Sequence, residues 1–274
     1  EAPARGNLLL DITNPRSPQF IRRFTTPELG QGVHTVKLGR IDGRTYAFAS
    51  VNGTSQQHAR LVIVDITSPA QPNQVFQTAL GDPFVHDVFV RDGILFTALW
   101  NGGMSIYDVG GGTANGSPAN PALLGNVEIV NGHAHNIFWF HDPSNGSKRY
   151  AFVGEENPVP GGRYSGDIHV IDVSSLQAPR EVAFFHVDSA GVHNFAADET
   201  NGILYAAFYE GGVRAVDIRG DLGSCSADQK DTHGRCNLNL MQRERARGLN
   251  ESVVRIWGVA LNGDRLFASD MLTG

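Results

Sequence analysis

Short apolar runs, broken by polar turns, fill this chain from end to end. The first full set reads Val33-His34-Thr35-Val36-Lys37-Leu38, Tyr46-Ala47-Phe48-Ala49-Ser50-Val51, Leu61-Val62-Ile63-Val64-Asp65 and Val75-Phe76-Gln77-Thr78. These runs are rich in β-branched and aromatic residues, and Gly, Asn, Asp and Pro punctuate them, a pattern of strands rather than helices. The order then recurs. Five opening lines match: Val33-His34-Thr35-Val36, Val85-His86-Asp87-Val88, Ala134-His135-Asn136-Ile137, Val192-His193-Asn194-Phe195 and Ile256-Trp257-Gly258-Val259. A turn follows each (Asp42-Gly43, Asp92-Gly93, Asn145-Gly146, Asn201-Gly202, Asn262-Gly263), then an aromatic-alanine strand, and in four of the units a third run ending in Asp65, Asp108, Asp172 or Asp217. Four strands per unit at a spacing of roughly 50 residues predict the blades of a β-propeller.

The ends of the chain give the expected count. The fifth unit has its first strand over 253–261 and its second over 266–269, and then stops. Leu8-Leu9-Leu10-Asp11 and Phe20-Ile21-Arg22-Arg23-Phe24 supply the missing third and fourth strands at the other end. The expectation is therefore all-β: a five-bladed β-propeller over residues 1–274 as one domain, closed by N-terminal strands completing the last blade, which removes an open sheet edge. Six blades is the alternative if the natural chain continues past Gly274.

The phrase Leu61-Val62-Ile63-Val64-Asp65-Ile66-Thr67-Ser68-Pro69 resembles the LVIVD-repeat family, propellers of exported bacterial and archaeal proteins. Leu9-Leu10-Asp11-Ile12-Thr13-Asn14-Pro15 and Val170-Ile171-Asp172-Val173-Ser174-Ser175 are weaker copies. The resemblance implies the fold and an exported protein. It implies no particular reaction, since a shared fold does not carry one.

Composition narrows the partners. A net charge of −6 leaves no basic stripe, so nucleic acid is not expected. No apolar run is long enough to span a bilayer. Starting at Glu1 rather than Met is what a processed or recombinant chain would show, compatible with a removed signal peptide; separately, an extracellular, cell-surface or periplasmic address is expected. Four N-x-S/T sequons begin at Asn52, Asn115, Asn145 and Asn250, three of them in Asn-Gly pairs that turns favour anyway. The two cysteines, Cys225 and Cys236, fall in one polar insertion over 219–252. A disulfide closing that loop is expected in an oxidising compartment, with free or metal-binding thiols as the alternative. The basic run Arg243–Arg247 in the same insertion is compatible with one or two helical turns.

The chemistry concentrates in the opening lines. Inner strands of a propeller run parallel around an axis, so equal repeat positions share one height, and His34, His86, His135 and His193 would converge at one mouth. Neutral imidazoles suit Fe, Cu, Zn or Ni. The placement resembles the four-histidine iron site of carotenoid-cleavage oxygenases, in histidine placement alone. The competing reading is a hydrogen-bonded polar ring without metal. Asn101, Glu155 and Glu210 occupy matching positions after the second strands and are candidates to orient the imidazoles, with Glu156 and Asp270 weaker ones. His133 forms a His-x-His pair with His135, and alternate residues of one strand share a face. His58, His141, His169, His186 and His233 match no repeat position and are read as packing or surface residues. The aspartates closing the third runs are read as caps of the turns that follow.

The functional expectation is a binding module with a histidine-lined axial site for a transition metal. The alternatives are a non-catalytic protein- or polysaccharide-interaction propeller, engaging a protein or cell-surface polymer through its rim loops, and a metal-dependent oxidase or hydrolase.

Overall fold

The computed structural model describes residues 6–55, 57–81, 83–249 and 254–274. The chain divides into two compact units, Glu1–Gly125 and Asn126–Gly274. Among the described residues there is no α-helix, and no helix is long and apolar enough to cross a membrane.

The first unit opens with a hairpin of β1 (Asn7–Asp11) and β2 (Gln19–Phe24). Two four-stranded antiparallel sheets follow, each laid out in chain order. One holds β3 (Val33–Ile41), β4 (Arg44–Val51), β5 (Arg60–Asp65) and β6 (Asn73–Ala79). The other holds β7 (Asp87–Arg91), β8 (Ile94–Ala98), β9 (Met104–Asp108) and β10 (Ala122–Val127). The β3–β4 and β7–β8 links are Asp-Gly turns with both residues at positive φ (49° and 76°; 52° and 70°), the backbone whose twist matches a two-residue hairpin.

Strand β5 shows why the Leu-Val-Ile-Val run is apolar without alternation. Leu61 and Ile63 enter a cluster with Ile41, Phe48, Val88 and Leu95, while Val62 and Val64 enter another with Leu29, Ala47, Ala49 and Val51. Both faces of the strand are covered, so each position adds roughly 1.5–3 kcal/mol of apolar burial. Its closing aspartate serves the backbone. Asp65 accepts from the Thr67 N–H at 2.9 Å, and Asp11, Asp108, Asp172 and Asp217 accept likewise from the N–H two residues on. The aspartates cap turns, as expected.

The second unit repeats the plan with two additions. Its first sheet has the order β11 (Ala134–Trp139), β12 (Tyr150–Glu155), β15 (Ile168–Asp172), β16 (Arg180–Phe185) and β20 (Cys236–Asn237). Between β12 and β15 stands a small hairpin, β13 (Asn157–Val159) with β14 (Arg163–Ser165). The next sheet runs β17 (Phe195–Asp198), β18 (Ile203–Ala207), β19 (Val213–Asp217) and β21 (Glu244–Gly248). Phe152, Val170, Phe185, Leu204, Phe208 and Val216 fill one core in this unit. The unit ends in a hairpin of β22 (Ile256–Asn262) and β23 (Arg265–Asp270).

The insertion at 219–252 is structured up to residue 249; residues 250–252, with the Asn250 sequon, lie outside the described residues. Cys225 and Cys236 are joined by a disulfide. The run Arg243–Arg247 forms strand rather than helix. Its Glu244–Gly248 stretch pairs antiparallel with β19, and Arg245, Ala246, Arg247 and Gly248 are all exposed. The loop thus returns a fifth strand, β20, to one sheet of its unit and a fourth, β21, to the other.

Candidate functional site

The histidines stand at irregularities. In β3 the register slips between Val33 and Thr35, in β11 between Ala134 and Asn136, and in β22 between Ile256 and Gly258. The residue left over is His34, His135 or Trp257. In the other two sheets His86 N–H donates to Ala98 O, which already faces Asp87, and His193 N–H donates to Ala207 O, whose N–H donates to Asn194 O. All five repeat positions therefore carry a β-bulge or its equivalent. A bulge leaves one residue out of the ladder and turns its side chain, and such bulges recur beside active sites. Strict strand alternation, with every residue in the ladder, would not contain them.

In the first unit His34 Nε2 lies 2.9 Å from His86 Nε2, so one ring donates to the other. Their ring centres are 4.2 Å apart, and His86 stacks on Trp100 at 5.3 Å. Burial lowers the pKa of His34, opposed by the nearby Asp87 carboxylate. Asp87 is itself buried, which raises its pKa against the pull of Lys37. Two ligands each 2.0–2.1 Å from one ion stand ~2.9–3.4 Å apart, so the observed separation is one an ion could span.

In the second unit His135, 2% exposed, packs against half-buried His193 with ring centres 4.2 Å apart. Its Nε2 is 3.4 Å from Glu156 Oε2. Glu156 in turn accepts a short hydrogen bond from the Tyr209 hydroxyl. Burial pushes the Glu156 carboxyl up to about 7. Tyr209 stacks on Tyr164 of β14 at 4.5 Å, and His193 sits between Tyr209 and Trp257 at 5.5 and 5.4 Å. Imidazoles and a carboxylate form a donor set suited to borderline transition metals.

Three expected orienting groups lie elsewhere. Glu155, 1% exposed, is the last residue of β12 and binds other partners than Glu156, which follows the strand. Glu155 accepts from Asp167 N–H and lies 3.2 Å from His169 Nε2. His169 is fully buried; its Nδ1 is 2.7 Å from Glu181, which also binds Arg235. Burial alone would lower the His169 pKa, but Glu155 and Glu181 outweigh it and raise it to about 9. Glu210 pairs with Arg255 at 2.9 Å, and Asn101 is exposed in its turn. His133 precedes β11 with a φ of 58°, its ring turned to Asn131 O at 3.2 Å, so the His-x-His pair does not lie on one strand. Among the unmatched histidines, His233 is exposed, His141 packs on Trp139 and His186 bridges Asp167 and Asp188.

Two aromatic residues escaped the sequence reading. Trp100 and Tyr209 are buried and have φ of 55° and 41°, a region that costs a non-glycine residue roughly 1–3 kcal/mol. The available signal was the pair Trp100-Asn101-Gly102-Gly103 and Tyr209-Glu210-Gly211-Gly212, an aromatic before matching Gly-Gly turns.

Sheets built on four antiparallel strands, each with a repeat histidine at or just before its first strand, define a β-propeller-like protein. Residues 55–79 match the LVIVD repeat family, which places the repeat on β5, β6 and their approaches. No curated protein sequence matches the chain. Among solved structures, Sqt1 from Saccharomyces cerevisiae is similar over 96% of this chain and 62% of its own, at 10% identity and a TM-score of 0.61. A hypothetical selenium-binding protein from Sulfolobus tokodaii is similar over 78% of this chain and 54% of its own, at 16% identity and 0.55. Chaetomium thermophilum Sqt1 bound to the N-terminus of ribosomal protein L10 is similar over 80% and 52%, at 14% and 0.50. This chain thus spans about half to three-fifths of the length of these structures. At such identities the likeness is one of fold.

Proposed function

We propose that the protein is an extracellular or cell-surface binding propeller whose bulged histidines, His34, His86, His135 and His193, ligate a transition metal ion: Fe, Cu, Zn or Ni. The observation that carries this is the pairing of imidazoles at the repeat's bulge position, with nitrogens 2.9 Å apart in one unit and a buried carboxylate 3.4 Å from His135 in the other. Glu156 orients His135, and Tyr209 holds Glu156. A bulge or its equivalent at all five repeat positions, with a histidine at four of them, favours a selected aim over loose packing. The disulfide supports the address, since such bonds persist in oxidising compartments.

The same proposal includes five blades, with β1–β2 completing the sheet that begins with β22–β23. Leu8, Leu10 and Phe20 on the first pair and Phe267 on the second are exposed, as half-blades awaiting partners would be. A protein partner is the second reading, favoured by the peptide complex of Sqt1 and by these apolar residues. Elemental analysis of the purified protein tests the main reading. About one equivalent of metal per chain is expected, and His86→Ala with His135→Ala should abolish it. Less than a tenth of an equivalent after loading favours the interaction reading.

A further inference from the structure

The two strained aromatics share more than a backbone angle. Leu99 N–H donates to Gly103 O, Gly102 N–H to Leu99 O and Gly103 N–H to Trp100 O. Phe208 N–H donates to Gly212 O, Gly211 N–H to Phe208 O and Gly212 N–H to Tyr209 O. These are one and the same turn, built twice. In each copy the second residue is a large aromatic at positive φ where glycine or asparagine would sit without strain. Each ring lies against the bulged histidine of its own sheet, Trp100 on His86 at 5.3 Å and 28°, Tyr209 on His193 at 5.5 Å and 87°. Each is also wedged from behind by a second aromatic, Phe84 at 5.5 Å and Tyr164 at 4.5 Å. A residue held in a costly conformation in two units, both times against a repeat histidine, is what a selected contact produces and chance packing does not.

We propose that Trp100 and Tyr209 are positioning residues, each locking the imidazole of its own sheet's histidine in the orientation needed for metal ligation. The turn aims the ring, the second aromatic stops it from swinging back, and the imidazole loses rotational freedom before an ion arrives. Such preorganisation raises affinity by removing an ordering cost from the binding step. The inference rests on the metal reading above, but its physical core, the fixing of His86 and His193, holds with or without an ion.

The test uses the full-length protein and copper(II) alone as probe. Trp100→Ala and Tyr209→Ala are each expected to weaken copper binding at least tenfold and to alter the copper EPR spectrum, whereas Trp100→Phe and Tyr209→Phe retain most of the affinity. Thermal unfolding is followed in parallel. A lower melting temperature with unchanged copper affinity and EPR spectrum makes the aromatics structural only and overturns the proposal. If wild-type protein binds no copper, the metal reading fails, and imidazole NMR of the metal-free variants decides the rest. Broadened or shifted His86 and His193 ring signals in the alanine variants, restored in the phenylalanine ones, uphold the positioning; unchanged signals overturn it. A variant that fails to fold is replaced by Trp100→Leu or Tyr209→Leu, which keeps bulk without a ring and is read the same way.

Discussion

Two histidine pairs, drawn from the same repeat, have been given different surroundings. In the first unit His34 and His86 face each other nitrogen to nitrogen, with an indole stacked on His86 and the Asp87 carboxylate close to His34. In the second, His135 and His193 meet ring to ring, and the neighbouring groups are a carboxyl and a phenol hydrogen-bonded to each other. The bulge is common to both, so it is the repeat that delivers an imidazole. What differs is the residue just beyond the second strand: Asn101 and Gly102 follow Trp100 in one unit, while Glu156 stands beside His135 in the other. A propeller repeat can therefore fix where donors stand while leaving each sheet to choose their protonation partners. The second unit is also the more heavily braced, by the disulfide and by the His169 ion network, neither of which has a counterpart among the described residues of the first.

The largest expected effect asks whether both pairs matter. Removing either pair, as His34→Ala with His86→Ala or as His135→Ala with His193→Ala, should weaken metal binding by at least ~100-fold by titration calorimetry. An effect confined to one pair would break the symmetry and leave the other as packing.

Bracing separates the units next. Reducing Cys225–Cys236, or replacing both by serine, should cost the second unit about 2–4 kcal/mol, the range for closing a loop of this size, read as a lower denaturation midpoint. Limited proteolysis should then open the 219–249 region while cleavage of the first unit is unchanged.

A pH effect should follow the same division. The His169 pKa, raised from 6.5 to about 9, means its stabilising contribution is full below about pH 6.5 and is lost as pH rises through about 9. The loss amounts to at most ~3 kcal/mol, measurable as denaturation midpoints between pH 6 and 10. His169→Gln should flatten this dependence; a parallel curve would remove the network from the account.

The smallest effect contrasts the two carboxyls. Glu156→Gln should weaken metal binding roughly 10–100-fold, as loss of an orienting partner does. Asp87→Asn should change it about threefold or less, because that carboxylate acts on His34 through the field alone.

Much of the fold could be read from residues alone. Short apolar runs and turn chemistry located the strands; β5 lacks polar positions because both of its faces are covered. The aspartate caps were legible because a carboxylate accepting from the N–H two residues on has a local, self-contained geometry. The site was half legible. Repeat position revealed the histidines, but not the bulges that aim them, because a bulge depends on which residue of the partner strand receives each hydrogen bond. Glu155 was preferred to Glu156 for a related reason. One residue of register decides which face a side chain takes, and sequence spacing places a strand end only to within a residue or two. Arg243–Arg247 was compatible with one or two helical turns because its pairing partner β19 lies about thirty residues earlier.

The most direct test of the central claim is metal content per chain in protein purified without chelators, measured beside the His86→Ala, His135→Ala variant. About one equivalent of Fe, Cu, Zn or Ni in the wild type and none in the variant is the predicted result. Less than a tenth of an equivalent in wild type after loading, or equal metal in both proteins, would contradict it.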